Sequence, residues 1–410
     1  MTELYFVLSG SILGAIAGLL PGVGVLTSLL LVYPFLLHAE VLHLMLFYMS
    51  LAAMVQFTGT VPAVFLGVPG ETNSAPAVIE GNKFTRHRKS DLAVGICALG
   101  SVLGSIVSVT IFVILSDLLF SGFATVVSNR FKAILFLCIF TLILFIYNKA
   151  NILVNLVLFT SGFLLALVGE SSVTQEYRFT FGITDLEYGL GKIPVITGLL
   201  VVPLVFQNLR NSVKLPLIHR PRFVAPLLLF SRNVWSSIRG SIIGFFAGLA
   251  PGLTTVLATN LSYTVESWYN NNKPVNKIIA CETAKNSGQF SSMIPLLLFG
   301  IPITGSEVLL YNLLIESGWS TNQFSRVGEN LNLVINSILP WFVFVNILGL
   351  IISWPLAKHA MVIFKLPNRT IFVVVLLLLV AVNIFVGYTE FRIISYCTQF
   401  VFFATIGYCI

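Results

Sequence analysis

The chain is poor in charge. Only 10% of its 410 residues are charged and 57% are hydrophobic, which gives a mean hydropathy of +0.94. A soluble domain cannot hide that much apolar surface, so lipid must be the solvent. The apolar runs at residues 133–147, 152–168, 334–357 and 371–387 approach the roughly 20 residues with which a helix crosses a bilayer. Because unpaired backbone cannot face lipid, we predict an all-α polytopic membrane protein.

Residue types that hold metals or disulfides are also scarce. The five cysteines form no CxxC pair, and the five histidines show no HExxH spacing. We therefore predict no metal site, no disulfide framework and no cofactor. GxSxG and paired intramembrane aspartates are absent, which argues against an intramembrane hydrolase or ligase. Nothing in the sequence indicates nucleic-acid binding.

Basic residues are distributed unevenly along the chain. No Lys or Arg precedes Lys83, and residues 83–89, 210–239 and 358–369 then carry most of the positive charge behind the net +7. By the positive-inside rule these stretches are cytoplasmic, which leaves the uncharged-to-acidic N-terminus outside. Arg130 and Lys132 count against this map, since both fall on the predicted outer side. The first apolar stretch lacks a basic flank, so we interpret it as retained and not as a signal peptide.

Two motif pairs recur along the chain. SILGAIAGLLPG (residues 11–22) matches SIIGFFAGLAPG (241–252) at an offset of 230, and PAVFLGVP (62–69) matches PLLLFGIP (295–302) at an offset of 233. We predict two repeats, residues 1–207 and 241–410, joined by a basic cytoplasmic linker at 208–240. The first copy starts outside and the second inside, so the repeats are inverted, with about ten to twelve membrane segments in all.

Each copy places proline and glycine inside apolar sequence. Proline removes a backbone donor and glycine permits tight turns, so helices should break or re-enter there. Matching breaks in inverted repeats are typical of secondary transporters, and free N–H groups at a half-helix start favour an anion. The predicted breaks lie at Pro21, Gly22, Pro69, Pro251, Gly252 and Pro302.

Small and polar residues cluster beside these breaks. They can orient a carboxylate through neutral hydrogen bonds, although Gly, Ser and Thr also serve close helix packing. For the clustered set we favour binding. The predicted substrate-binding residues are Thr58, Gly59, Thr60, Gly70, Thr72, Asn73, Ser74, Lys285, Asn286, Ser287, Thr304, Gly305 and Ser306.

Four ionisable residues lie in or beside these segments. Glu71 follows a Pro-Gly break, where it can bind a coupling cation or cap a half-helix, unless it lies solvated at the interface. Glu282 is the second coupling-ion candidate, and Lys285 offers a cation to a substrate carboxylate. These two are three residues apart, so they can equally pair with each other. Glu307 is a weaker candidate.

Five segments of the chain resemble the motifs of one family and occur in the same order as in that family. The resemblance extends over nearly the whole chain. They are GAIAGLLPGVG (residues 14–24), GVPGETNSAPAVIEGNKF (67–84), RFTFG (178–182), FAGLAPGLTTVLATNLSY (246–263) and CETAKNSGQFSSMIPLLLFGIPITGS (281–306). Together they resemble the large membrane subunit of the tripartite tricarboxylate transporters, the TctA family. Lys285 departs from the family, which typically has the first Asn of an Asn-Asn pair there, and Glu80 stands where an Asp is usual.

The resemblance implies uptake of small di- or tricarboxylates by symport with Na⁺ or H⁺, in a bacterial-type inner membrane. It also implies two partners, a periplasmic solute-binding protein and a small four-helix membrane subunit. Family members usually continue beyond the position of Ile410, so we expect a shortened second repeat. Two alternatives stay open: a transport-deficient or channel-like partner of other subunits, and an intramembrane enzyme.

Overall fold

A computed structural model describes most of the chain. The described residues are 2–20, 23–66, 71–123, 152–170, 176–202, 223–249, 254–269, 273–319, 334–355, 357–360, 368–389 and 392–409. They form two compact units. Unit 1 combines Met1–Val127 with Asn211–Asn368, and unit 2 combines Ser128–Arg210 with Arg369–Ile410. Each unit therefore takes residues from both predicted repeats, and the boundaries at 207 and 241 stay a prediction.

Unit 1 is built of helices. In chain order they are α1 (Thr2–Leu19), α2 (Val25–Leu36), α3 (Val41–Thr58), α4 (Thr60–Leu66), α5 (Ala75–Arg86) and α6 (Ser90–Phe123), with a 3₁₀ turn at Thr72–Ser74 before α5. After unit 2's first segment, helices α10 (Val224–Ser231), α11 (Val234–Gly248), α12 (Thr254–Tyr269), α13 (Pro274–Phe299) and α14 (Gly305–Glu316) follow. A π-helical turn (Val334–Ile338) then leads into α15 (Leu339–Ser353) and the short α16 (Ala357–Ala360).

Unit 2 contains the remaining elements. They are α7 (Ile152–Ala166), an antiparallel pair β1 (Gly169–Glu170) and β2 (Tyr177–Arg178), α8 (Thr184–Glu187), α9 (Lys192–Ile196) with a π-helical turn (Thr197–Val201), α17 (Asn368–Thr389) and α18 (Ile393–Cys409). Buried amides hold it together: Gln399 Oε1 accepts from Gly191 N at 2.7 Å, and Asn383 Nδ2 donates to Thr197 Oγ1 at 3.2 Å. A buried amide in an apolar helix stabilises the fold only when it is paired in this way.

The described chain is helical apart from this hairpin, as the composition predicts. Four described segments are long and apolar enough to cross a membrane: Thr2–Leu19, Val41–Phe65, Ser90–Ser116 and Asn336–Ser353. The expected count of ten to twelve segments and the inverted relation of the repeats stay predictions.

Glycines let two helix pairs of unit 1 approach closely. On α1, a Cβ added at Gly10 would meet Phe47 O and the Ser50 hydroxyl of α3. On α11, a Cβ added at Gly240 would meet Ala280 O and the Thr283 hydroxyl of α13. These two positions follow Phe47 and Ser50 by 233 residues each. The same correspondence continues one and two turns on, where Gly14 and Gly18 match Gly244 and Gly248. Small residues at every fourth position thus bring both pairs to backbone contact.

The same pattern of helix contacts occurs in the first and second parts of unit 1, and the inner helix of each part packs on the outer helix of the other. Within the first part of unit 1, α1 packs on α3, and in the second part α11 packs on α13. Helix α3 also packs on α15, while α13 packs on α6, so each long inner helix contacts the outer helix of the other part. Helices α1 and α11 contact the same outer helices, α15 and α6 respectively. This reciprocal packing buries α3 and α13 at the centre of unit 1.

The predicted breaks fall between these helices. Pro21, Gly22, Pro69, Gly70, Pro251 and Gly252 lie outside the described residues, and α1, α4 and α11 end just before them. Pro302 is described and stands between the end of α13 at Phe299 and the start of α14 at Gly305. Gly300, with φ 65°, closes α13 in the left-handed conformation that glycine adopts without strain.

Candidate functional site

Two glutamines join the central helices of unit 1. Gln56 Nε2, on α3, donates to Gln289 Oε1, on α13, at 2.9 Å, and both side chains are buried. The two residues are 233 positions apart, the offset of the second motif pair. If the predicted repeats are correct, these two glutamines are equivalent residues and the two repeats meet here. The centre of unit 1 is therefore polar at this point.

Asn73 connects three segments to the glutamine pair. Its Nδ2 lies 3.1 Å from Gln56 Oε1, 3.1 Å from Glu71 Oε2 and 3.0 Å from Thr255 Oγ1. Asn73 and Glu71 follow the Pro69-Gly70 sequence, and Thr255 follows Pro251-Gly252 at the start of α12. Ser74 Oγ donates to Asn73 Oδ1 at 3.3 Å and fixes the amide orientation. Polar residues that come after breaks in both predicted repeats are thus brought together.

The Glu71 carboxylate is held by three donors. Val25 N donates to Oε1 at 2.8 Å, and Oε2 accepts from Gln56 Nε2 at 3.2 Å and Asn73 Nδ2 at 3.1 Å. Val25 is the first residue of α2, where backbone N–H groups have no partner within the helix and carry a partial positive charge. A carboxylate therefore already occupies a helix start at the first Pro-Gly sequence. The three donors form a carboxylate-binding arrangement.

The start of α14 contributes a second polar group. Thr304 caps this helix, and Glu307 completes a capping box with it. Ser306 Oγ lies 2.9 Å from the buried Tyr48 hydroxyl of α3 and 3.2 Å from Thr304 Oγ1. Gly305, also predicted to bind substrate, is exposed at the first helical position. The segment after Pro302 is thus tied to α3 by hydroxyl contacts.

A buried ion pair lies one helical turn before the glutamine pair on α13. Lys285 Nζ is 2.6 Å from Glu282 Oε2, and Thr60 Oγ1 lies 2.7 Å from both atoms. All three side chains are at most 3% exposed. Because breaking a buried pair leaves an unpaired charge, each partner holds the other in place. Of the two roles open to Lys285, the structure therefore places it in the mutual ion pair in this conformation.

Three further predicted residues bind neighbouring helices. Asn286 Nδ2 donates to Ser101 Oγ of α6 at 2.8 Å, and Ser287 Oγ donates to Ser241 O of α11 at 2.7 Å. Thr58 Oγ1 lies 3.2 Å from Gly14 O, so it ties α3 to α1. These contacts fit helix packing, the alternative that the composition left open. Gly59 joins α3 to α4, Gly70 lies outside the described residues, and of Thr72 only the backbone, in the 3₁₀ turn, is described.

Charged pairs elsewhere in unit 1 lie apart from these groups. The buried Glu80 carboxylate of α5 contacts Lys83 Nζ and Lys277 Nζ at 2.7 Å, and Tyr263 OH at 2.8 Å. Burial opposes its ionisation, but hydrogen bonds from Lys277, Lys83 and Tyr263 outweigh that effect and lower the pKa of Glu80. Arg239 of α11 pairs with the buried Glu266 of α12, with Nη2 and Oε1 2.9 Å apart. Over the described part of the chain, no three His, Cys, Asp or Glu side chains converge as metal ligands would.

Sequence reasoning missed several members of the network. Gln56, Gln289, Thr255 and Tyr48 were not selected. Gln56, Gln289 and Tyr48 lie away from the Pro-Gly sequences, whereas Thr255 lies just after Pro251-Gly252 and was passed over. One signal was available: Gln56 and Gln289 are separated by the repeat offset of 233. In the predicted duplication the two glutamines occupy equivalent positions, which marks them as candidates for a shared centre.

Comparisons with known proteins agree with the motifs. The model of a family described as "Tripartite tricarboxylate transporter TctA family" matches residues 4–410. An uncharacterized 52.8 kDa protein from the TAR-I ttuC′ 3′ region of Agrobacterium vitis is 27% identical over 319 residues, covering 75% of this chain and 63% of that protein. An uncharacterized protein of Methanocaldococcus jannaschii is 23% identical over 403 residues, covering 97% of this chain and 92% of that protein. No solved structure matches the chain.

Proposed function

The chain belongs to the tripartite tricarboxylate transporter TctA family, and from this premise we propose that it imports small carboxylates by secondary active transport. A transporter family and apolar membrane-length helices make it a multi-pass membrane protein. The proposed cycle is alternating access, driven by a Na⁺ or H⁺ gradient across a bacterial-type inner membrane with the N-terminus outside.

One observation carries this proposal: polar residues following the breaks of both predicted repeats meet at Asn73. Its amide is within 3.1 Å of Gln56 and Glu71 and 3.0 Å of Thr255. Irregular backbone and polar side chains are tolerated at membrane depth only where protein or a water-filled cavity covers them. A central polar site of this kind suits a carrier that must desolvate a small anion.

We place a substrate carboxylate at the donors that now hold Glu71. Val25 N, Gln56 Nε2 and Asn73 Nδ2 converge on one carboxylate, and a helix start favours any anion of that shape. Glu71 then acts as an internal stand-in that the substrate displaces. This role replaces the coupling-cation role suggested by its position in the sequence.

The reciprocal packing of unit 1 supports the proposed inverted repeats. Gly10, Gly14 and Gly18 contact α3 as the glycines 230 residues later contact α13, and α3 and α13 exchange outer helices. Two copies arranged in this way can exchange conformations, which is the basis of alternating access in inverted-repeat transporters. The name of the family also supports two partners, a solute-binding protein and a small membrane subunit, and we propose both for this chain.

Uptake in reconstituted vesicles tests the function. We expect labelled di- or tricarboxylates to accumulate only when an ion gradient and the partner subunits are present, and Asn73→Ala to abolish uptake while leaving the protein inserted. Asn260→Ala is the matched control, because Asn260 is exposed on α12 and, among the described residues, its amide donates to Val256 O of its own helix. Uptake by Asn73→Ala equal to that of the control would refute this site. Gradient-independent leakage through the parent protein would favour the channel-like alternative.

A further inference from the structure

Two tyrosines, each on a helix that follows a Pro-Gly sequence, bind carboxylates of distant segments. Tyr33 of α2 donates to Glu316 Oε1, at the end of α14, over 3.1 Å. Tyr263 of α12 donates to Glu80 Oε1, on α5, over 2.8 Å. The two tyrosines are 230 residues apart, the offset of the first motif pair. In both contacts a helix of one predicted repeat binds a helix of the other.

The two contacts lie on opposite sides of the polar centre, because the central helices run antiparallel. Gln56 of α3 contacts Gln289 of α13. Met49, which precedes Gln56, lines a small apolar cavity together with Met293 and Leu297, which follow Gln289. The starts of α3 and α13 therefore lie at opposite ends of unit 1, with the glutamine pair between them.

One tyrosine contact lies near the start of α13. Lys277 Nζ is 2.7 Å from Glu80 Oε1 and donates to the Tyr263 hydroxyl at 3.0 Å. Lys277 precedes Gln289 by 12 residues, which is about 18 Å along a helix. Glu80 is 0% exposed and Lys277 is 4% exposed. These three side chains, here called the Glu80 latch, join α5 to α12 and α13.

The other tyrosine contact lies near the start of α3. Ser317, next to Glu316, donates to Ala39 O at 2.9 Å, and Ala39 stands two residues before α3 begins. Tyr33 is buried, but Glu316 is exposed. The Tyr33–Glu316 hydrogen bond, here called the Glu316 latch, joins α2 to the end of α14.

We propose that the two latches are the gates of the carboxylate site, an inference that rests on the proposed carrier function. The Glu80 latch closes the route between α5 and α12, and the Glu316 latch closes the route between α2 and α14. Helices α2, α5 and α12 all start beside the groups that meet at Asn73, and the latches hold them further along. Breaking one latch lets its two helices part, which opens the centre to water from that side.

The latches differ in strength, which gives the cycle a direction. The Glu80 latch contains a buried ion pair, and separating such a pair leaves an unpaired charge at high cost. Water weakens the contact of the exposed Glu316, so the Glu316 side opens more readily when no substrate is bound. The basic residues 83–89 follow Glu80 and are predicted to be cytoplasmic. On this orientation the substrate-free carrier opens outward, as import requires.

Hydrogen–deuterium exchange of the purified full-length protein, without carboxylate, tests the gates. Amides inside a membrane protein exchange when water reaches them, so an opened route raises exchange in the helices beside it. Tyr263→Phe removes one hydroxyl from the Glu80 latch, and Tyr33→Phe is the matched change at the Glu316 latch. We expect exchange about tenfold faster in α5 and α12 for Tyr263→Phe, and about threefold faster in α2 and α14 for Tyr33→Phe.

Each variant should leave the helices of the other latch unchanged. Glu316→Gln keeps an oxygen that accepts from Tyr33, so it should leave the Glu316 latch closed. Exchange that is unchanged in both tyrosine variants, or that rises equally in all four helices, would overturn the gates.

A native cysteine gives a second readout that separates opening from misfolding. Cys281 of α13 is buried, and its Sγ lies 3.5 Å from Thr259 O of α12. Alkylation of Cys281 should be faster in Tyr263→Phe than in the parent protein, and should not be faster in Tyr33→Phe. The buried Cys97 of α6 is the reference. Faster alkylation of both cysteines in Tyr263→Phe would indicate general loosening and overturn the Glu80 gate.

Carboxylate uptake by the same proteins keeps this inference distinct from the proposed function. Uptake by the parent protein, together with unchanged exchange in both tyrosine variants, would reject the gates alone. The expected exchange pattern in a protein that takes up no carboxylate would reject the carrier function alone, since the latches would then control opening without transport.

Discussion

Replacing Glu71 by glutamine separates two roles for this residue. If Glu71 is the stand-in for substrate, the substrate must displace it from Val25 N, Gln56 Nε2 and Asn73 Nδ2. Glutamine has the same shape and still accepts from Val25 N through its oxygen, but its neutral amide competes less well for these donors. Removing the charge should therefore favour the bound substrate.

The size of the effect follows from the contacts. A hydrogen bond to a charged group is worth about 1.5–3 kcal/mol when buried, but Glu71 is only half-buried and two of its three contacts exceed 3.0 Å. We therefore expect that glutamine binds these donors less strongly than Glu71 by about 1.4 kcal/mol in total. The substrate carboxylate, which competes for the same donors, should then bind about tenfold more tightly.

The assay is equilibrium binding of a panel of di- and tricarboxylates to purified protein at fixed sodium concentration. Glu316→Gln serves as the control, since it makes the same chemical change outside the network. Binding that becomes weaker in Glu71→Gln would refute the stand-in role and favour the cation role that its position in the sequence suggested. Unchanged binding would show that Glu71 and the substrate use different donors.

Three other predictions concern stability. Gly244→Ala would press a methyl group against the α13 backbone and should lower the free energy of unfolding by about 1–3 kcal/mol. Gly162→Ala is the control: a Cβ there meets nothing within 4 Å, so the change should be neutral or stabilising by up to about 1 kcal/mol. Unfolding in detergent compares the two variants, and equal effects would contradict the packing. Lys285→Met strands the Glu282 charge and should cost about 3–5 kcal/mol, part of which the double variant with Glu282→Gln should recover in thermal unfolding. Because the pKa of Glu80 is lowered from its usual 4.5, its stabilisation is complete above that pH and is lost as pH falls through the lower folded value. Glu80→Gln should flatten the acid side of the stability profile, and an unchanged profile would contradict the ion pairs.

Much of the architecture was accessible from local sequence. Glycine at every fourth position in residues 10–18 and 240–248 carries its own packing signal, since only close helix pairs need it. Membrane helices follow from composition, and family membership followed from motifs in order. The roles of Lys285 and Asn286 could not be obtained in this way. The spacing allowed Lys285 to pair with Glu282 on its own helix or to face a substrate, and the group that closes the pair, the Thr60 hydroxyl, lies 225 residues away in the chain.

Glu71 and Glu307 show the same limit from another side. Their positions after the breaks identified both as ionisable groups of interest, but ranked Glu307 last. Only the hydrogen bonds distinguish them, because Glu71 accepts from Val25 N and Gln56 Nε2 of other helices, whereas Glu307 accepts from Ile303 N and Thr304 N beside it in the chain. Sequence position reports that a carboxyl exists near a break, and the satisfaction of its two oxygens is a property of the packed structure.

Taken alone, the sequence determined the solvent, the helical class, the doubled motifs and the family, since each depends on composition or on residues close together along the chain. The tertiary structure decided which polar groups meet: Gln56 with Gln289, Asn73 with Thr255, and Glu71 with the first N–H of α2. Hydrogen bonds act over about 3 Å, so partners far apart in sequence are specified only once the glycine contacts have set the helices side by side.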